Sequence, residues 1–328
     1  MGNTPRRVPR GPWSTEFPLV GPASEPVDLA RTFRSHGLAA LPPMFPDAQA
    51  HLLEATLPLN GSAPRTVRIF RGRPGYGIVE AVGTPPGPEE RLRLMATVRH
   101  VLRLDEDLSG FYERASGDPE LSWATRGAGR MIRSATIFEE VIKTLCTINC
   151  AWSATTRMVS ALVEHLGEKA PGAPKAGPAR RAFPTARTMA ETGEEFYKDV
   201  VRAGYRGRYM LALSRSVAES KVDLEALDAP CEELPDEELE RRLLALPGIG
   251  PYAAAHVMMM LGRYSRLILD SWTRPTYAKL AGRPTTDQEI VDHFSGYGPY
   301  AGLAFWLYLT RGWVEEPADA QVARIQEA

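Results

Sequence analysis

Up to about residue 83, apolar positions fall in short runs; beyond it they fall mostly at helical spacing. Arg65-Thr66-Val67-Arg68-Ile69-Phe70-Arg71 alternates polar and apolar side chains, the pattern of a half-buried strand. A second run, Tyr76 to Val82, follows Gly72–Gly75 and predicts a hairpin; Leu52 to Leu57 is a third. A helix is expected from Asp28 to about Arg34. Pro88 opens PEERLRLMATVRHVLRL, which places Leu92, Met95, Val98 and Leu102 on one face. The fold class predicted is α+β: a small antiparallel sheet domain over 26–104, then a mostly helical domain over 105–328. Residues 1–25, rich in Pro and Arg, are expected to be loose.

Within the helical text, Ser134–Thr136 caps IFEEVIKTLCTINCAW, and Trp152 to Leu166 continues the pattern with Met158, Leu162 and Leu166. GEKAPGAPKAGPARRA, 167–182, reads as a linker loop. The stretch 236–270 organises the rest. Asp236 to Leu246 is a short helix with an acidic first turn and Leu239, Leu243 and Leu246 in register. Leu246-Pro247-Gly248-Ile249-Gly250 is a tight turn, and Pro251 begins a second helix, so a helical hairpin is expected over 236–262. Two glycines beside a helix N-terminus offer N–H groups to a phosphate, a grip that carries no base-sequence information. Asp270 lies twenty residues after Gly250, at the end of the apolar run Leu267-Ile268-Leu269. Its carboxylate leaves the core facing whatever the hairpin holds; the competing reading is an ordinary helix N-cap.

Composition narrows the functional classes. The length suits about two domains, and 44% apolar residues suffice for a sizeable core. No apolar run could span a membrane, and the N-terminus has no signal-peptide h-region, so a cytoplasmic location is expected. Three cysteines, Cys146, Cys150 and Cys231, argue against a disulfide framework. Cys146 and Cys150 sit four apart in apolar helical text, as core residues do. The six histidines show no metal-like spacing with them, and no metal or other cofactor is expected. The net charge of −1 is less basic than is usual for a nucleic-acid binder. The charge is uneven, however: RAGYRGRYMLALSR, 202–215, carries four arginines and no acid, while acids concentrate in 225–240 and after Glu315. A local basic patch is enough for phosphate contact.

LPGIG, a helix, and an aspartate at this distance together resemble the helix-hairpin-helix DNA glycosylase superfamily. LRLDEDLSGFY, IFEEVIKTLCT, FPTARTMA, AGYRGRY and YGPYAGLAFW follow the order of the 8-oxoguanine and 3-methyladenine glycosylase branch over about 102–312. Residues 26–83 match that branch's small β domain in character only. The resemblance implies base excision repair: a damaged base is flipped out of duplex DNA and its N-glycosidic bond is hydrolysed. Asp270 would stabilise the oxocarbenium-like sugar and is the candidate to activate water. The hairpin residues Gly248, Ile249, Gly250 and Tyr252 would hold phosphate. Bifunctional members carry a lysine where Tyr252 stands; a phenol cannot form an imine, so a monofunctional enzyme without lyase activity is implied. Lys221 and Lys279, the nearest lysines, do not match that position.

Tyr205 and Arg206 match the family's duplex wedge, with a surface basic turn as the alternative. Asn149 falls near the segment facing the estranged base, with a satisfied core amide as the alternative. Counting from Gly298, Phe305 falls where oxoguanine enzymes place a purine-reading glutamine. Phe305, Trp306 and Cys150 are assigned to the base pocket, Trp306 and Tyr308 having core packing as the competing reading. An aromatic pocket favours alkylated purines over 8-oxoguanine. The alternatives are an 8-oxoguanine-type glycosylase, including one with a displaced lyase lysine, and a non-catalytic DNA-binding hairpin protein that would not need Asp270. The expected partner is damaged duplex DNA, bound by a monomer.

Overall fold

A computed structural model describes residues 13–313. The α+β class holds: a five-stranded antiparallel sheet lies N-terminal to a predominantly helical body. The strands are β1 (Trp13–Pro18), β2 (Met44–Asp47), β3 (Leu52–Leu59), β4 (Ser62–Arg71) and β5 (Tyr76–Ala81), in the order β1-β5-β4-β3-β2. The three short runs named from the sequence form the centre of the sheet. β4 and β5 pair through Ile69 opposite Val79, both fully buried. The alternation of β4 does not leave a wet outer face throughout: Thr66 is buried too, its hydroxyl 3.0 Å from that of Thr56 on β3.

The expectation of a loose 1–25 segment fails from Trp13 onward; 1–12 lie outside the described residues, as do the acids after Glu315. Trp13–Pro18 is an edge strand paired with β5 along its full length, Trp13 opposite Ala81 and Pro18 opposite Tyr76. Further along, Glu25 is buried and meets Arg130, itself wholly buried, at 2.6 Å. Arg130 also donates to the carbonyls of Arg103 and Glu106, and Glu25 accepts from the Leu108 N–H at 3.2 Å. This ion pair ties the segment after β1 to the start of the helical body. Removing one member of a buried pair leaves the other charge uncompensated. Glu25→Ala is therefore expected to lower the unfolding free energy by about 3 kcal/mol. Urea denaturation checks this, and an unchanged midpoint would refute the role.

Three apolar clusters form the core. One joins the sheet to the helix Pro88–Val101 through Leu94, Val98 and Val101. A second is built by the helices Ile137–Thr147, Trp152–Leu166 and Arg206–Ala218 with the first hairpin helix. A third contains the C-terminal helices, including Ala301–Thr310. The second hairpin helix, Pro251–Met260, lies between the last two. Ala253, Ala254, Val257 and Met258 pack into one cluster, Ala255, Met259 and Met260 into the other. That explains why its sequence is apolar all round rather than amphipathic. Among the described residues no helix is long and apolar enough to cross a membrane, and no group of His, Cys, Asp or Glu could hold a metal ion.

Candidate active site

A cavity of about 820 Å³ opens at the seam between the two helical clusters. The hairpin turn, the loop after Thr147, the Ile268–Trp272 segment and Trp306 all reach it.

The hairpin forms as its sequence dictates. Its first helix is Asp236–Leu244, with three acids in the first turn; the second begins at Pro251. Gly248 has φ +79°, and a Cβ there would come within 2.6 Å of the Tyr209 ring. Gly250 is extended, and nothing lies within 4 Å of where its Cβ would be. The first glycine is thus required by the turn and its packing, whereas the second leaves space beside the chain. No hydrogen bond reaches the N–H of either from the described residues. Ile249 differs: its N–H donates to Leu246 at 3.2 Å, and its side chain is buried in the core. It shapes the turn and presents nothing to a ligand.

Asp270 lines the cavity at the end of its apolar run. The run is positioned by Gly302: its N–H donates to the Tyr264 carbonyl at 2.7 Å, and a Cβ there would lie 2.2 Å from the Arg266 carbonyl. Oδ1 of Asp270 accepts from the N–H groups of Trp272 at 2.9 Å and Thr273 at 2.7 Å, while the Asp270 N–H donates to Thr273 Oγ1 at 2.8 Å. Oδ2 has no hydrogen-bond donor among the described residues. Capping therefore engages one oxygen: Oδ1 anchors the turn into the helix Thr273–Ala281, and Oδ2 is left over among the described residues.

Tyr252 lines the cavity with its hydroxyl 3.4 Å from Thr147 Oγ1. Burial pushes its phenol above the usual range, with the Thr147 contact acting in the opposite direction. No lysine is among the cavity-lining residues. Lys221 is exposed and paired with Glu219, Lys279 is exposed, and the buried Lys143 is held by Glu139 at 2.6 Å.

The wedge candidates separate. The helix expected to run through Cys150 ends at Thr147; Asn149 is left-handed at φ +47° and exposed, and a new helix starts at Trp152. Tyr205 is 47% exposed, with its hydroxyl 3.5 Å from Asn149 Nδ2. Arg206, by contrast, is buried. Its guanidinium donates to the carbonyls of Ile148 and, at 2.7 Å, Asn149. Both carbonyls lie just past the helix end at Thr147, and Arg206 supplies their donor. It holds the loop that carries Asn149, and none of that makes it a wedge. Cys150 is a half-buried loop residue on the cavity wall rather than a helical core residue; its thiol donates to the Cys146 carbonyl at 3.0 Å.

Of the residues assigned to the base pocket, Trp306 and Cys150 line the cavity and Phe305 does not. Phe305 is fully buried and packs on Tyr277 and Phe294, at ring separations of 6.2 and 5.4 Å, and is not part of the cavity wall. Tyr308 belongs to the same aromatic core. Trp306 is the residue that reaches the cavity, its indole N–H donating to the Ser35 carbonyl at 2.7 Å. Adjacent helical positions are about 100° apart, so one faces the core and the next the cavity. Trp272 and Trp313 pack with Trp306 at 5.6 to 5.9 Å to form a tryptophan triad on the wall, with Trp152 elsewhere on the lining.

Trp272, Trp313 and His256 were not singled out from the sequence. His256 had a readable signal: it is a histidine within an otherwise apolar stretch of helix, four residues after Tyr252 and so on the same face. Its ring centroid is 6.1 Å from that of Tyr252 and 6.4 Å, edge-on, from that of His36. Burial lowers its pKa to about 4, helped by His36, so the imidazole is neutral near pH 7.

No protein-family model matches the chain. Solved structures share its fold across nearly the whole length. MBOgg1 in complex with a low-affinity DNA ligand superposes with a TM-score of 0.69 at 18% identity, covering 92% of this chain and 96% of the other. The 3-methyladenine DNA-glycosylase from Archaeoglobus fulgidus gives 0.68 at 18% identity, covering 92% and 98%. The 8-oxoguanine glycosylase/lyase of Clostridium acetobutylicum in its apo-form gives 0.60 at 19% identity, covering 77% and 87%.

Proposed function

We propose that this protein is a monofunctional DNA glycosylase of base excision repair that releases an alkylated purine. The observation carrying the reading is the meeting, at one tryptophan-walled cavity, of an Asp270 carboxylate oxygen and two hairpin glycine N–H groups, none of them partnered among the described residues. Of the proteins of this fold named above, two are glycosylases by description and the third is in complex with a DNA ligand, which supports the glycosylase reading.

The mechanism follows from the residues. The Gly248 and Gly250 N–H groups, at the start of the helix Pro251–Met260, hold a backbone phosphate. Asn149 and Tyr205 project from adjacent loops and occupy the gap left when a nucleotide turns out of the stack. The extruded base enters the cavity and stacks on indole. As the C1′–N bond lengthens, positive charge grows on the sugar; Asp270, held in place through Oδ1, stabilises it with Oδ2. Water adds to C1′, and its proton passes to the same carboxylate. Among the described residues no lysine amine stands on the wall to form an imine, and Tyr252 occupies the position from which one would act.

The test is release of 3-methyladenine or 7-methylguanine from methylated duplex DNA, with borohydride present in a parallel reaction. Base release without a covalently trapped protein–DNA band is expected. A trapped band would reject the monofunctional mechanism; no release of any base from a lesion panel would reject the glycosylase reading itself.

A further inference from the structure

His256 is the polar exception in the helix that separates the two helical cores. Its side chain is more than nine-tenths buried, yet it is on the wall of the cavity. Its ring makes no hydrogen bond with any described residue, and Nε2 is closed to solvent without a partner. A nitrogen closed to solvent is out of reach of anything in the cavity, so the atom a bound base can meet is Nδ1, which is not closed off in this way and which a ligand there would satisfy. The neighbours do not. Tyr252 presents its ring and spends its hydroxyl near Thr147, and His36 meets His256 as ring to ring edge. His36 Nε2 is committed to the Ile132 carbonyl at 2.5 Å, and its Nδ1 is orphaned as well.

The absence of a bond has a second consequence. The tautomer of a neutral histidine is normally fixed by the partner of its other nitrogen. Neither nitrogen of His256 is so fixed. The ring can therefore offer N–H in one tautomer and a lone pair in the other, to the same ligand position. The tryptophan triad itself offers ring faces, which read shape and stacking.

From this we infer that His256 is a tautomer-adaptable reader of the exocyclic group of the flipped base, accepting from an amino group and donating to an oxo group. The substrate class is then purines with a 6-amino or a 6-oxo substituent, adenine- and guanine-derived alike. The inference rests on the base-pocket reading above. A neutral ring suits that class better than a charged one, because an imidazolium would repel a cationic alkylpurine and could only donate.

The experiment measures free bases, so it does not depend on catalysis. Quenching of tryptophan emission in the full chain is titrated with 3-methyladenine, 7-methylguanine and 3-methylpurine, which lacks the exocyclic group. In the wild type both substituted bases should bind about tenfold more tightly than 3-methylpurine, the size expected of one satisfied hydrogen bond. His256→Phe should reduce both ratios to near one while 3-methylpurine binding changes little; His256→Gln, whose amide can also donate or accept, should keep most of the preference. Ratios unchanged in His256→Phe would overturn the inference and leave the pocket reading intact. Loss of preference for only one base would overturn the tautomer-adaptable role. Absence of quenching by every base in the wild type would overturn both the inference and the base-pocket reading.

Discussion

Asp270→Asn is expected to lower the rate of base release by at least about 10²–10³-fold, the scale for removing one preorganised electrostatic group. Duplex binding should stay within a few-fold. The substitution suits the question because of how Asp270 is held. Its Oδ1 accepts from the Trp272 and Thr273 N–H groups, and an asparagine carbonyl can accept both bonds unchanged. The turn, the helix Thr273–Ala281 and the cavity wall are therefore retained. What changes is the other oxygen: a carboxylate oxygen without a donor becomes an amide NH₂, which carries no negative charge and cannot take a proton from water. The hairpin N–H groups are untouched, so phosphate binding has no reason to weaken. Single-turnover release and a binding isotherm on the same duplex separate the two effects. Full release activity in the variant would remove Asp270 from the chemistry and leave it as a turn-forming residue.

The elements legible in the sequence are those where local chemistry and tertiary context agree. The hairpin is the clearest: leucines at helical spacing, a proline stop, a left-handed Gly248, a second glycine in open space, and Pro251 where its missing N–H costs nothing. The central strands were legible as short apolar-rich runs bounded by glycine and turn residues. β1 and β2 were not, since an edge strand needs one partner and tolerates proline, as at Pro18 and Pro46. Side-chain destinations were harder. Arg206 lies in basic text that suits a DNA contact, yet its role is decided by two loop carbonyls just past the end of the helix Ile137–Thr147, an end that apolar text running on to Trp152 conceals. Phe305 and Trp306 were separated by helix rotation following a kink at Gly298, which has φ +57° and ψ −122°; a count along the chain cannot register either. The tryptophan triad comes from positions 272, 306 and 313 on separate segments, a convergence no local pattern encodes.

Alkylated purines should be released at least about tenfold faster than 8-oxoguanine opposite cytosine. Two features of the wall carry this expectation. The first is what stands where an amide would read the purine edge: Phe305 is in the core, and Trp306, the residue at the cavity, has its indole N–H committed to the Ser35 carbonyl. Neither offers a free donor or acceptor to the base. The second is the triad of Trp272, Trp306 and Trp313, whose ring faces attract a cation. A 3-methyl- or 7-methylpurine nucleotide carries that positive charge, and its glycosidic bond is already weakened, so stacking and one carboxylate are enough. 8-Oxoguanine is neutral and its bond is strong; selecting it from guanine requires polar contacts to the one oxygen and one N–H that differ. Pockets built on hydrogen bonds reject an analogue that lacks them by about 10⁴–10⁵, whereas apolar pockets separate near-isosteres by only about 10–200-fold. An enzyme with this wall would excise guanine nearly as readily as 8-oxoguanine, and only a slow rate on both is compatible with genomic DNA. Single-turnover release from the two lesion duplexes at one salt concentration decides the matter. Faster release of 8-oxoguanine would refute the alkylpurine preference while leaving the role of Asp270 standing. Trp306→Ala sharpens the result: if stacking on indole is the source of the preference, the alkylpurine rate falls about tenfold and the 8-oxoguanine rate changes less.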